Sequence, residues 1–213
     1  MNKNPLTRCA WLGVAVLALG LAGCGRKAPV PRMTPLAQDA VILIYAGGVT
    51  EEGDLFRANQ IDETFARVMK RKVVSLGQGG EFSEAALKRL PAALDGCAPD
   101  LVILGYGAMD LWKKTDRAQL KASLGAMIDL ARKRNAQVVM LAMPDLNRLL
   151  PKPDPVFEEV AREKRVPIET AIVRAVLSDA STRVYRYMPN DDGIEKLAEA
   201  IRALCVKCGG LPE

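Results

Sequence analysis

The residues of this 213-residue chain that could do chemistry are carboxylates and hydroxyls, because the sequence contains no histidine. Histidine is the side chain whose unperturbed pKa lies near neutrality, and it is the usual proton shuttle of a Ser-His-Asp triad. An ordinary hydrolytic triad and imidazole metal ligation are therefore excluded. What remains is Thr50, Asp110, Asp145, Asp192 and Glu195, all in or beside segments that follow apolar runs. Paired carboxylates do acid–base work on glycosides or hold a hard cation. A plainer reading competes with this one. Asp192 and Glu195 are spaced as N-cap and N3 of a helix, a capping box, and Thr50-Glu51-Glu52 reads as a solvated helix or loop start. No metal site and no cofactor are expected.

The aromatic and sulfur-bearing residues add two further possibilities. Tyr106 and Trp112 flank one loop, where an aromatic platform would meet a sugar or acyl group, although core packing is the commoner role of such residues. Cys205-Val-Lys-Cys208 has the spacing of a redox or metal half-site. Gly209 excludes the haem-attachment form, and one CxxC without a second pair is a weak zinc signal. The simpler expectation is one structural disulfide, either within that pair or from Cys97 to one of its members.

Short apolar strands must position these side chains. Residues 40–46, 72–76, 100–105 and 137–143 are rich in Val, Ile and Leu and are bounded by Gly, Asp or Pro, as strands buried on both faces of a parallel sheet are. Val166-Pro167-Ile168 is a fifth candidate. Helical patterns lie between and after them, at about 60–71, 83–94, 116–134, 155–164 and 192–205. This alternation predicts an α/β, three-layer, doubly wound sheet whose working face lies at the carboxyl ends of the strands. Two loops there begin Gly-x-Gly, at Gly77 and Gly105, but Phe82 and Asp110 stand where a dinucleotide fingerprint needs its third glycine.

The N-terminus reads as a targeting segment. Lys3 and Arg8 precede the apolar run Trp11 to Leu21, which is too short for a comfortable membrane span and has the length of a signal-peptide core. Leu21-Ala22-Gly23-Cys24 resembles the bacterial lipobox, which implies cleavage after residue 23 and a lipid on the Cys24 sulfur. Residues 24–38, with three prolines, read as a flexible tether, and 39–213 as one domain. With Gly25 after the lipidated cysteine, the outer membrane facing the periplasm is the expected location in a Gram-negative cell. The formal net charge is +5, with both signs mixed along the helices. No nucleic-acid footprint is present.

Four blocks in order resemble the SGNH (GDSL-type) hydrolases. Ile42 to Val49 resembles the strand leading into Gly-Asp-Ser-Leu, and Gly107-Ala108-Met109-Asp110 resembles Gly-Gly-Asn-Asp. Asp192-Gly193-Ile194-Glu195 resembles Asp-Gly-Ile-His, and Gly80 falls where the family places its oxyanion-hole glycine. The resemblance implies a flavodoxin-like sheet. It also implies vestigial positions: Gly48 for the serine, Gly47 for the preceding aspartate, Met109 for the oxyanion asparagine and Glu195 for the histidine, with only Gly80 and Asp192 matching. A thioether cannot donate the asparagine's hydrogen bond. Thr50, Tyr106, Asp110, Trp112 and Asp145 are then the expected lining of the cleft. The expected function is a lipid-anchored, non-enzymatic binding or accessory module for an envelope glycan, an acylated polymer or a partner protein. The alternatives are a divergent hydrolase of acyl or glycan groups with a rebuilt site, and a structural component of an envelope assembly.

Overall fold

A computed structural model describes residues 31–48, 58–147, 151–185 and 187–213. The apolar runs form β1 (Val41–Ala46), β2 (Lys72–Ser75), β3 (Leu101–Gly105), β4 (Gln137–Leu141) and β5 (Ile168–Glu169). They pair in the order β2-β1-β3-β4-β5, and every pairing is parallel. β3 is buried along its whole length, as a central strand covered on both faces must be. The helices are α1 (Ala58–Met69), α2 (Ser83–Cys97), α3 (Ala108–Trp112), α4 (Arg117–Lys133), α5 (Pro155–Lys164), α6 (Ile172–Ser178) and α7 (Asp191–Lys207). α1 packs with α7, while α2 packs with α4 and α4 with α5, giving a helical layer on each side of the sheet. The expected three-layer, doubly wound sheet is therefore present.

Two short helices, α3 and α6, and the antiparallel pair β6 (Arg183–Tyr185) with β7 (Met188–Pro189) were not expected. At five and seven residues the helices are too short to show a helical period. The capping box is corrected as well. The N-cap of α7 is Asn190, in extended conformation, and its side chain accepts from the backbone N–H of Gly193 at 3.0 Å. Asp192 is the second residue of the helix and lies exposed.

Residues 33–36, at the end of the expected tether, are bound to the domain. Met33 and Leu36 are buried, and their N–H groups donate to the carbonyls of Cys208 and Gly210 at 2.8 and 2.9 Å. Gln137, at the start of β4, clasps Thr34 with two hydrogen bonds, and the Arg71 guanidinium donates to the Leu36 carbonyl. This strap closes the amino end of the sheet. Replacing Leu36 by alanine leaves a cavity and costs roughly 2–4 kcal/mol. Denaturant unfolding of L36A checks this, since a free tether predicts no change.

The expected disulfide is not formed, because Cys97, Cys205 and Cys208 are all free thiols. Cys97 turns back onto α2, its sulfur 3.1 Å from the carbonyl oxygen of Ala93. Cys205 is fully buried on α7, and Cys208 closes that helix. Burial, with a smaller contribution from Cys208, pushes the Cys205 thiol up to about 12, far from the range of a reactive thiolate.

Candidate functional site

In a sheet of order 2-1-3-4-5 the chain leaves β1 and β3 in opposite directions, and a crevice opens between their carboxyl ends. Gly47 and Gly48 follow β1 there, Tyr106 and Gly107 follow β3, and the loop 77–82 follows β2. Here that crevice holds a side chain of the protein itself. The ring of Tyr106 is fully buried and lies 5.0 Å, centroid to centroid, from the ring of Tyr45. A Cβ built on Gly47 would lie 2.7 Å from Tyr106 Cε1 and 2.5 Å from the Gln78 carbonyl oxygen. No side chain fits at position 47 while Tyr106 stays where it is.

A charged network fixes that ring. The Tyr106 hydroxyl donates to Glu81 at 2.6 Å and accepts from Arg89 and from the backbone N–H of Gln78, each at 3.0 Å. Arg89 grips Glu81 through two hydrogen bonds of 2.9 and 2.7 Å and lies over the Tyr45 ring at 5.3 Å. Burial works against the Glu81 charge, but the hydrogen bonds from Arg89 and Tyr106 outweigh it and hold the carboxyl below its ordinary pKa. Burial, reinforced by its bond to Glu81, raises the Tyr106 phenol out of any physiological range. The ring is a neutral donor to a fixed carboxylate, and no proton moves there near neutrality.

The loops after β1 and β2 meet through their backbones. The N–H of Gly80, whose φ of +70° suits glycine, donates to the carbonyl of Gly48 at 3.0 Å. That N–H is engaged within the protein. Glu195 forms a bidentate ion pair with Arg67 of α1, which lowers its pKa. Met109 is half-buried on α3, next to Ala108; neither side chain can donate a hydrogen bond.

Two of the five residues expected to line the cleft are enclosed by the fold. Tyr106 is buried, and Asp110, 2% exposed, accepts from the backbone N–H and hydroxyl of Ser83 at 2.9 and 2.7 Å, anchoring the start of α2. Trp112 packs edge-on against Tyr187 at 5.7 Å, joining α3 to the turn before β7. Asp145 accepts from the N–H of Asn147, whose amide in turn donates to the carbonyls of Leu111 and Trp112. Each of these side chains satisfies a local backbone or packing need. Thr50 and Cys24 lie outside the described residues. Among the described residues, no three of His, Cys, Asp and Glu gather as metal ligands. Asp62 of α1 is the described carboxylate whose pKa is raised; burial raises it against a hydrogen bond from Ser75.

The fold has known counterparts. A family model of the GDSL-like lipase/acylhydrolase family matches residues 44–210. The chain belongs to this family. Among solved structures, TesA is 19% identical, with a TM-score of 0.66 over 79% of this chain and 99% of that one. The psychrotrophic esterase EstA from Pseudoalteromonas sp. is 16% identical, with a TM-score of 0.63 over 79% and 98%. A GDSL-like lipase from Bacteroides thetaiotaomicron is 14% identical, with a TM-score of 0.58 over 82% and 92%. At these identities the likeness is one of fold. A search of curated protein sequences returned no match.

Within this GDSL-like domain, sequence reading missed Tyr45, Glu81 and Arg89. Arg89 and Glu84 look like ordinary charges on a solvated helix face, and only the fold turns Arg89 toward the strand ends. Replacing Glu81 by glutamine removes one buried charge from the network and costs roughly 1–3 kcal/mol at neutral pH. Because the Glu81 pKa is lowered on folding, its contribution is full above the unfolded value of 4.5 and fades as pH falls through the folded one. Unfolding curves of wild type and E81Q should therefore converge in acid, and a constant gap would show that the charge is not what matters.

Proposed function

We propose that this GDSL-like protein is a catalytically silent member of its family, exported and held to the membrane through a lipid on Cys24. It serves as a binding or accessory module of the cell envelope, toward an envelope glycan, an acylated polymer or a partner protein. The observation that carries the silent reading is the hydrogen bond from Gly80 N–H to Gly48 C=O. By the resemblance, Gly80 stands at the oxyanion-hole glycine and Gly48 at the serine. The donor that would stabilise an oxyanion is thus satisfied by the residue that would have attacked.

The neighbouring geometry supports the same reading. A Gly-Asp-Ser-Leu aspartate at position 47 would collide with Tyr106 and Gln78. Glu195, at the histidine position, is paired with Arg67 rather than aimed at Gly48. Loss of one oxyanion donor alone lowers rates by on the order of 100–1,000-fold. Loss of the nucleophile and base removes the covalent route and leaves only a residual from binding. A hydrolase rebuilt from carboxylates and Thr50 would gather Asp110, Asp145, Asp192 and Glu195. Against it, Asp110 bonds the start of α2, Asp192 lies in solvent and Glu195 pairs with Arg67.

Purified protein is expected to hydrolyse short acyl esters no faster than buffer. Turnover above that background, abolished by a substitution at the ends of β1, β2 or β3, would refute the silent reading. The anchor is tested separately. Cys24→Ser should shift the protein from the membrane fraction to the soluble fraction and remove an acyl modification from the N-terminal peptide in mass spectrometry. An unmodified wild-type Cys24 would overturn the anchor and leave the silent site untouched.

A further inference from the structure

We propose that the end of the domain opposite the candidate site is a docking face for an anionic lipid surface. The proposal deepens the anchored reading above by giving the domain an orientation: the base lies on the headgroups and the β1–β3 crevice points away from them. It starts from where the chain leaves the fold. The strap is fixed at the amino end of the sheet by the bonds from Met33 to Cys208 and from Leu36 to Gly210. Cys24 stands nine residues before Met33 in the sequence, a separation that even fully extended chain spans with at most about 32 Å. A lipid on Cys24 therefore keeps this end of the domain, and not the other, near the membrane.

Charge is divided along the same axis. α1, α2, α4, α5 and α7 run against the strands, so their carboxyl ends gather at the base with the strap. Exposed cations stand there: Arg32 on the strap, Lys70 and Lys72 after α1, Lys133 in α4, Arg165 after α5 and Lys207 in α7. The negative end of a helix dipole accounts for only about half a unit charge per helix. Two exposed cations stand beyond the end of α1, Lys70 and Lys72, and two in the last turn of α4, Arg132 and Lys133. Two of the acids nearby are already engaged. Asp95 is paired with Arg134, and Asp100 accepts from the N–H of Val41, leaving Asp39 and the C-terminal Glu213.

The amino ends of the helices bring Glu84, Asp110, Asp116, Asp154, Asp191 and Asp192 to the other end, mixed with Lys113, Lys114, Arg117 and Lys152, of which Arg117 pairs with Asp154. From residue 31 onward 26 basic residues face 25 acidic ones, so the domain is close to neutral and its polarity is one of placement. The excess of the whole chain comes from Lys3, Arg8, Arg26 and Lys27, and the last two lie between Cys24 and the strap. Lysine and arginine at an anionic lipid surface contribute about five-fold each to partition, and salt screens that contribution. Headgroups attract the base, where exposed cations outnumber the acids left unpaired.

The test uses the chain from residue 24 onward with Cys24→Ser, so that binding reports the face and not the acyl chain. Sedimentation with vesicles of phosphatidylglycerol and phosphatidylcholine is compared with phosphatidylcholine alone. Binding is expected only with phosphatidylglycerol, and it should fall steeply as salt rises. K70Q/K207Q should weaken it by roughly 25-fold. K113Q/K152Q, exposed at the opposite end, should leave it unchanged, with all variants melting at the wild-type temperature. Equal loss in the two variants, or equal binding to both vesicle types, would overturn the proposal. So would a failure to bind phosphatidylglycerol vesicles, including the case where the protein binds an anionic polymer instead. None of these outcomes depends on whether the native Cys24 is acylated, which the mass measurement decides independently.

Discussion

A phenol buried at the switch point of a parallel sheet must find partners for its hydroxyl, since an unsatisfied buried polar group costs roughly 1–3 kcal/mol. Tyr106 finds three: Glu81, Arg89 and the N–H of Gln78. Each partner lies in the loop after β2 or in the helix that follows it. The tyrosine at the end of β3 thereby ties that strand to the β2 loop across β1, and the loop delivers Gly80 to Gly48. Arg89 also covers the Tyr45 ring from β1, so three adjacent strands share one network. The constraint that closes the crevice is the same one that positions its rim.

This dependence runs in both directions. Tyr106 can occupy the crevice only because position 47 has no side chain, and Gly47 is compatible with the fold because the tyrosine fills the space an aspartate would take. Reversing one without the other produces either a clash or a void, each costing on the order of 1–3 kcal/mol or more. Single replacements toward a Gly-Asp-Ser-Leu sequence therefore meet a packing barrier before any chemistry arises. The glycine at 48 is a different matter, because its carbonyl and not its missing side chain holds the loop.

The sheet was legible in the sequence for a simple reason. Strands covered on both faces read as continuous apolar runs, and β1, β3 and β4 are such runs. The family resemblance was legible because loop residues keep their spacing from those runs. The candidate site was less legible, because burial of a loop side chain depends on contacts distant in sequence. Tyr106 and Trp112 looked alike as loop aromatics, yet one is core and the other half-exposed. Asp110 looked like a cleft acid until Ser83, 27 residues earlier, supplied its donors. The strap was hidden for the same reason: Met33 and Leu36 sit among prolines, and their partners lie at the far end of the chain. Three consecutive polar residues, Asn190, Asp191 and Asp192, all suit an N-cap, and only backbone geometry chose the first.

The strap links stability to orientation. Its hydrogen bonds to Cys208 and Gly210 join the two ends of the described chain, and Arg71 and Gln137 bind it to the starts of β2 and β4. Pulling on residues that precede Met33 loads those bonds at the base of the sheet and leaves the β1–β3 crevice unloaded. A domain held from this end keeps its acidic helix starts and its β-strand carboxyl ends free for a partner, whichever chemistry that partner has. The same geometry explains how the fold tolerates a filled crevice. The hydrogen bonds of Tyr106 lie at the carboxyl ends of the strands and those of the strap at the amino ends, so the two are held by separate contacts.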